Sequence, residues 1–240
     1  MRVTMNPRFL ASIKNASEAK LIKDIRIDIV DIKNIDDEPM GFAGLKNILS
    51  IKNVLRNHKI SVTMGNDFNP NNESMISNAL NVEKFGIDYM KIALFNEEEL
   101  NNHKSLLEIL NLQHCRPICV LFADNHIAIN NLKKIADIGY QGVMIDTMNK
   151  NGLSVMDILP TEILNSFIER AKFLKMTCGL AGSIKLSDIS NIIKFNPDFI
   201  GFRGQLCKDG KDRNNLSLDE TVKVSNYFIK SSGEENLKEA

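Results

Sequence analysis

Short runs rich in Ile, Val and Phe recur along the chain, separated by longer stretches in which apolar residues return every three or four positions. The first pattern is that of strands and the second that of amphipathic helices. Strand-like runs fall at 9–13, 27–33, 60–65, 89–94, 117–122, 142–146, 177–181 and 199–203. Helical periods fall near 15–24, 45–57, 72–86, 97–112, 128–138, 161–174, 185–195 and 218–230. Asn15 with Glu18 has the spacing of a capping box, Lys185 or Ser187 opens the seventh helical segment, and Gly86 and Gly139 stand where helices should stop.

The strand runs are apolar on both faces, as parallel strands covered by helices are. Eight strand–helix units in succession match a closed (β/α)₈ barrel, the TIM-barrel architecture. The alternative, a doubly wound open sheet, lacks a GxGxxG turn after its first strand. The expectation is one α/β domain, 1–232, followed by a solvated tail, 233–240.

The second run breaks the apolar rule. In "IDIVDIKN", Ile29, Asp31 and Lys33 share one face of the strand and Val30 and Ile32 the other. In a barrel the carboxyl ends of all strands meet at one mouth, so charges there face a pocket rather than bulk water. The other strand ends add Lys91, Asp124 and Asp146, with Lys150 just beyond. A lysine near apolar walls and another cation has a lowered pKa and can attack a carbonyl to form a Schiff base, while carboxylates hold it or shuttle protons. One Lys–Asp pair would read as an ion pair, Asp124 also suits a turn cap, and Lys150 a solvated loop. Three lysines and three aspartates at successive strand ends favour catalysis, because a structural core has little use for so many desolvation costs. The seventh and eighth runs end in "AGS" and "FRG". Gly182, Ser183, Arg203 and Gly204 there suit a phosphate, with the N–H groups of a short helix turned inward.

Composition narrows the classes. The 240 residues carry 30 basic and 30 acidic side chains and 43% hydrophobic residues. No basic cluster interleaved with aromatics supports nucleic-acid binding, and no apolar run suggests a membrane span or a signal peptide. Cys115, Cys119, Cys178 and Cys207 lack CxxC spacing, which points to a reduced cytoplasmic enzyme. His58, His103, His114 and His126 form no metal-ligand spacing, and His126 is the one nearest the expected mouth.

The segments "DIVDIKN", "DYMKIA", "VMIDTMNKNG", "GLAGSI" and "PDFIGFRGQLC…DRNN" resemble, in order and separation, the (5-formylfuran-3-yl)methyl phosphate synthase family of methanofuran biosynthesis, from about residue 9 to residue 230. That resemblance implies a cofactor-free barrel. It joins two molecules of glyceraldehyde 3-phosphate, with loss of phosphate and water, to a phosphorylated furan aldehyde. It places the Schiff-base lysine on Lys33 with Asp31 beside it and a proton relay on Lys91. Asp146 and Lys150 match the family's Asp and Lys four apart, and Gly182, Ser183, Arg203 and Gly204 its phosphate-binding strand ends. One stretch departs. After "DIKN" the family reads Pro, a short Gly-Ser stretch and "LGA", whereas here "IDDEPMGFAG" puts Asp36, Asp37 and Glu38 beside a phosphate pocket. The other readings are a different Schiff-base aldolase or dehydratase of phosphorylated aldehydes, and a non-catalytic phosphometabolite-binding barrel. A homo-oligomer is compatible with apolar positions on the outer helices.

Overall fold

A computed structural model describes residues 6–125, 131–208 and 213–231. The strands are β1 (Arg8–Ile13), β2 (Ile29–Ile32), β3 (Lys59–Thr63), β4 (Tyr89–Ala93), β5 (Arg116–Phe122), β6 (Gly142–Asp146), β7 (Thr177–Leu180) and β8 (Phe199–Phe202). They pair in parallel in sequence order, and β8 returns to β1, so the expected eight-stranded barrel is closed. Closure leaves no sheet edge with unpaired backbone groups.

Helices α1 (Ala16–Ile22), α2 (Leu45–Val54), α3 (Glu73–Lys84), α4 (Leu100–Leu110), α5 (Leu132–Asp137), α7 (Thr161–Phe173), α8 (Ile189–Ile192) and α9 (Leu218–Ser231) cover the outside. The seventh helical segment is three short pieces, since 3-10 turns at Leu186–Asp188 and Ile193–Phe195 flank α8. One helix was not anticipated: α6 (Val155–Ile158), a single turn opened by a capping box between Ser154 and Asp157. At α1, Asn15 does cap Glu18 N–H, but the Glu18 carboxylate does not complete the box; it accepts from Lys14 N–H at 2.8 Å and is drawn to Arg203. Gly86 and Gly139 end their helices with φ of 65° and 110°, where a side chain would be strained. Among the described residues no helix is long and apolar enough to cross a membrane.

Strand alternation sorts the core into two layers. Val30 and Ile32 of β2 join the shell between strands and helices, while Ile29 joins Leu10, Tyr89, Ile118, Val120, Met144 and Phe199 inside the barrel. Phe199 plugs that interior because β7 offers Gly179 opposite: a Cβ there would lie 2.1 Å from the ring. Three aspartates just before strands fix the register at the opposite end from the mouth. Asp28, Asp88 and Asp198 accept the N–H groups of Phe9, Ile60 and Cys178 at 2.8, 2.8 and 2.7 Å. The four cysteines are buried and form no disulfide with one another, and burial pushes the Cys115, Cys119 and Cys178 thiols well above their ordinary range. His126 and the tail 233–240 lie outside the described residues.

Candidate active site

At the carboxyl end of the strands a cavity of about 430 Å³, counting its open mouth, is lined by Ser12, Asp31, Lys33, Lys91, Asp146, Lys150, Gly182, Ser183, Arg203, Gly204 and Arg213. Nine of these were expected from the sequence. The inward phase of β2 continues past its end, so Asp31 and Lys33 both point into the mouth, and Lys33 N–H is pinned to Ile13 C=O at 3.0 Å. These two charges lie almost wholly buried, with Asp31 0% and Lys33 4% exposed.

The pairing of charges differs from the pairing implied by sequence neighbours. Asp31 pairs with Lys91 rather than Lys33, at 2.7 Å, and also accepts from Ser12 Oγ at 2.9 Å. Lys33 instead meets Glu38, at 2.7 Å. Glu38 spans two cations, its other oxygen lying 2.7 Å from Arg213 Nη2. The acidic loop that departs from the family pattern therefore turns one carboxylate inward. Lys150 lies 3.2 Å from Asp146 and donates to Thr147 C=O at 2.5 Å. Burial is the main force on both partners. It lowers the Lys150 pKa against the opposing pull of Asp146. It would raise Asp146, but the charges of Lys150, Lys33 and Lys91 and the Thr147 N–H bond overcome it and hold that carboxyl well below the usual range.

Asp124 is not brought into the cavity. Its carboxylate accepts the N–H groups of Met148 and Asn149, both at 2.7 Å, and so caps the loop after β6. Burial works against its ionised form, but these bonds prevail and lower its pKa. Arg203 lines the cavity, yet its guanidinium is spent elsewhere. It grips Glu18 with two bonds, 2.7 and 2.9 Å, and reaches Ser12 C=O at 3.1 Å and Arg213 C=O at 2.9 and 2.5 Å. All five of its N–H donors have acceptors, and among the described residues the cation facing the open space from this side is Arg213. Nor does the short helix after β7 offer its first N–H groups: Lys185 N–H goes to Asp188 and Leu186 N–H to Gln205, both at 2.9 Å. What remains for an anion there is the turn Gly182–Ser183 and Gly204. Gly182 has φ 97°, and a Cβ on it would lie 2.8 Å from Thr147, so only glycine fits. Ser183 has φ 50°, a left-handed conformation that costs a non-glycine residue about 1 kcal/mol and gathers at functional turns.

Ser12 and Arg213 in the lining, and Glu38 in contact with Lys33, are the polar residues that sequence reasoning did not assign to the site. Ser12 shares the inward phase of Leu10, a signal that was there to be read. Glu38 and Arg213 lie in loops, where no periodicity gives direction. Among the described residues no group of three or more His, Cys, Asp or Glu side chains is placed to hold a metal ion. The chemistry at hand is that of amines, carboxylates and one guanidinium around a buried, polar mouth.

The model of the 4-HFC-P synthase family matches residues 9–225. A (5-formylfuran-3-yl)methyl phosphate synthase of Methanococcus aeolicus is 32% identical over 226 residues, covering 89% of this chain and 95% of the relative. The enzyme of the same name from Methanocaldococcus jannaschii is 30% identical, covering 89% and 95%. Among solved structures, a phosphoribosyl anthranilate isomerase from Thermus thermophilus shares the fold with a TM-score of 0.63 at 11% identity, over 93% of this chain and 98% of that one. KGPDC from Streptococcus mutans does so with a TM-score of 0.63 at 10% identity, over 95% and 99%.

Proposed function

The chain belongs to the 4-HFC-P synthase family, and from that premise we propose that it forms (5-formylfuran-3-yl)methyl phosphate from two molecules of glyceraldehyde 3-phosphate through an imine on Lys33, in the synthesis of a methanofuran-type cofactor. The observation that carries this reading is the convergence of Lys33, Lys91 and Lys150 with Asp31 and Asp146 on one buried mouth. An imine turns a carbonyl into an electron sink, so the neighbouring carbon can lose a proton and form a new carbon–carbon bond.

Position separates the lysines. Lys91 also lines the smaller space beneath the mouth, and its ammonium is held by the wholly buried Asp31. That suits a proton relay. Lys33 sits just past the end of β2, in the lining of the mouth and against a loop carboxylate. Lys150 and Asp146 form the second acid–base pair across the mouth. Gly182, Ser183, Gly204 and Arg213, which line the cavity, are the groups that would take the phosphate.

The test is borohydride trapping with glyceraldehyde 3-phosphate, followed by digestion and mass mapping, beside product analysis. The reading requires a reduced adduct on Lys33, its loss in Lys33→Arg, and a furan aldehyde phosphate among the products. An adduct on Lys91 alone would reverse the two roles. Turnover to an aldol without a furan would make the chain a different Schiff-base enzyme of phosphorylated aldehydes.

A further inference from the structure

The geometry points to Glu38 as the catalytic group that takes the proton from Lys33 and returns it to the carbonyl oxygen, with Arg213 as the residue that positions it. This rests on the imine reading above and adds the base that reading lacks. Lys33 is 4% exposed, and the carboxylate next to it in sequence, Asp31, belongs to Lys91. The group in contact with its ammonium is Glu38, at 2.7 Å.

Glu38 is held in place from three sides. Asp37 on one flank accepts from Asn66 Nδ2 at 3.0 Å through both its backbone and its side-chain oxygens. Met40 on the other is buried, donates to Asn66 Oδ1 at 2.9 Å and accepts from Gly65 N–H at 2.9 Å. Gly41 C=O accepts from Thr63 Oγ1 at 2.7 Å and from Asn34 N–H at 2.9 Å, and a Cβ on Gly41 would lie 2.3 Å from Asp37 C=O. The third side is Arg213, whose carbonyl is gripped by Arg203 while its guanidinium reaches Glu38 Oε1. A loop tied this firmly to the end of β3 aims its carboxylate instead of letting it swing in solvent. Among the described residues the charged groups facing Glu38 are Lys33 and Arg213 in contact, with Lys150 within its field; Asp146 faces Lys33 from β6.

The steps balance. The Lys33 ammonium passes a proton to Glu38 Oε2, and the freed amine pair forms the C–N bond as the carbonyl π pair moves to oxygen. That oxygen takes the proton from Glu38. The nitrogen then gives a second proton to the carboxylate, which delivers it to the hydroxyl. Water leaves, and the nitrogen pair closes the protonated imine. Glu38 ends as the carboxylate it began as, and no outside acid or base is consumed.

A counter-ion role predicts the opposite effect of substitution, which makes the proposal sharp. Removing a mere counter-ion would leave the Lys33 ammonium without its partner, favour the free amine and speed attack at neutral pH. The experiment is timed borohydride trapping by wild type, Glu38→Gln and Glu38→Asp with glyceraldehyde 3-phosphate, across about pH 5 to 9. Glu38→Gln should slow adduct formation on Lys33 by about a hundredfold. Glu38→Asp should restore part of the rate. A Gln variant that traps as fast as wild type, or faster, overturns the proposal, as do equal rates in the Gln and Asp variants. Those results leave the imine reading standing, whereas a wild type without an adduct on Lys33 overturns both.

Discussion

Lys91 of β4 and Asp31 of β2 meet at 2.7 Å across the barrel interior, two strands apart, with neither side chain more than 5% exposed. The strand between them presents the small Ser61 to the same interior, and Ser12 Oγ donates a hydrogen bond to the same Asp31 oxygen at 2.9 Å. A buried pair of this kind contributes little net stability, but breaking it strands a charge. Lys91→Met should therefore destabilise the protein by about 3–5 kcal/mol. The double substitution with Asp31→Leu should recover most of that loss while remaining inactive. Urea unfolding of the two single variants and the double variant measures this. A double variant no more stable than the singles would show that the charges are not what the singles disturb.

Arg203 is the second test of placement against expectation. Its donors are committed to Glu18, Ser12 and Arg213, so its replacement should be felt in the fold before the ligand. Arg203→Lys keeps the charge but loses the fork, leaving carbonyl acceptors unpaired at a cost of about 2 kcal/mol. Affinity for inorganic phosphate should change less than about fivefold, or 1 kcal/mol. Urea midpoints and phosphate titration separate the two effects. A large loss of phosphate affinity at unchanged stability would return Arg203 to the phosphate.

What could be read in the sequence was what local periodicity fixes. A period of two places Asp31 and Lys33 on the inward face of β2 whatever the rest of the chain does, and the count of eight units turns that face into a mouth. Lys91 and Asp146 follow by the same reasoning. Partners were another matter. Glu18 meets Arg203 across 185 positions and Arg213 meets Glu38 across 175. No spacing rule connects them, and their loops carry no phase. The acidic run at 36–38 was visible, but its direction depends on ties to Asn66 and Thr63 on another loop and strand. Asp124 shows the converse. It stands at the right strand end, yet two backbone N–H groups of the neighbouring loop claim its carboxylate.

The turn after β7 can be tested through Gly182. With φ 97° and Thr147 only 2.8 Å from where a Cβ would lie, Gly182→Ala must shift either the turn or Thr147. Thr147 C=O holds Lys150, and Thr147 N–H bonds Asp146. The substitution should thus reach the catalytic pair and lower kcat/KM by about tenfold or more, since a barrier rise of about 1.4 kcal/mol suffices. The melting temperature should fall by a few degrees as well, because Gly182 lies buried against the backbone of the fully buried Thr147. Steady-state kinetics beside a melting curve checks both. Unchanged kinetics would mean that the turn relaxes without moving Thr147.

His103 of α4 is fully buried, with Nδ1 2.5 Å from the Tyr140 hydroxyl and Nε2 3.9 Å from a Glu99 oxygen. Burial lowers its pKa from 6.5 to about 4. Below pH 6.5 the unfolded chain binds a proton there that the folded protein refuses, so stability falls as the pH drops from about 6.5 towards 4 and levels off below. The shift corresponds to a loss of about 3 kcal/mol at most. His103→Gln keeps a hydrogen-bonding partner for Tyr140 and removes the titration. It should cost about 1 kcal/mol at pH 7 and flatten the decline between pH 6.5 and 4. Urea midpoints at the two ends of that window decide it. An equal decline in the Gln variant would assign the acid sensitivity to other groups, with the carboxylates paired at the mouth next to be tested.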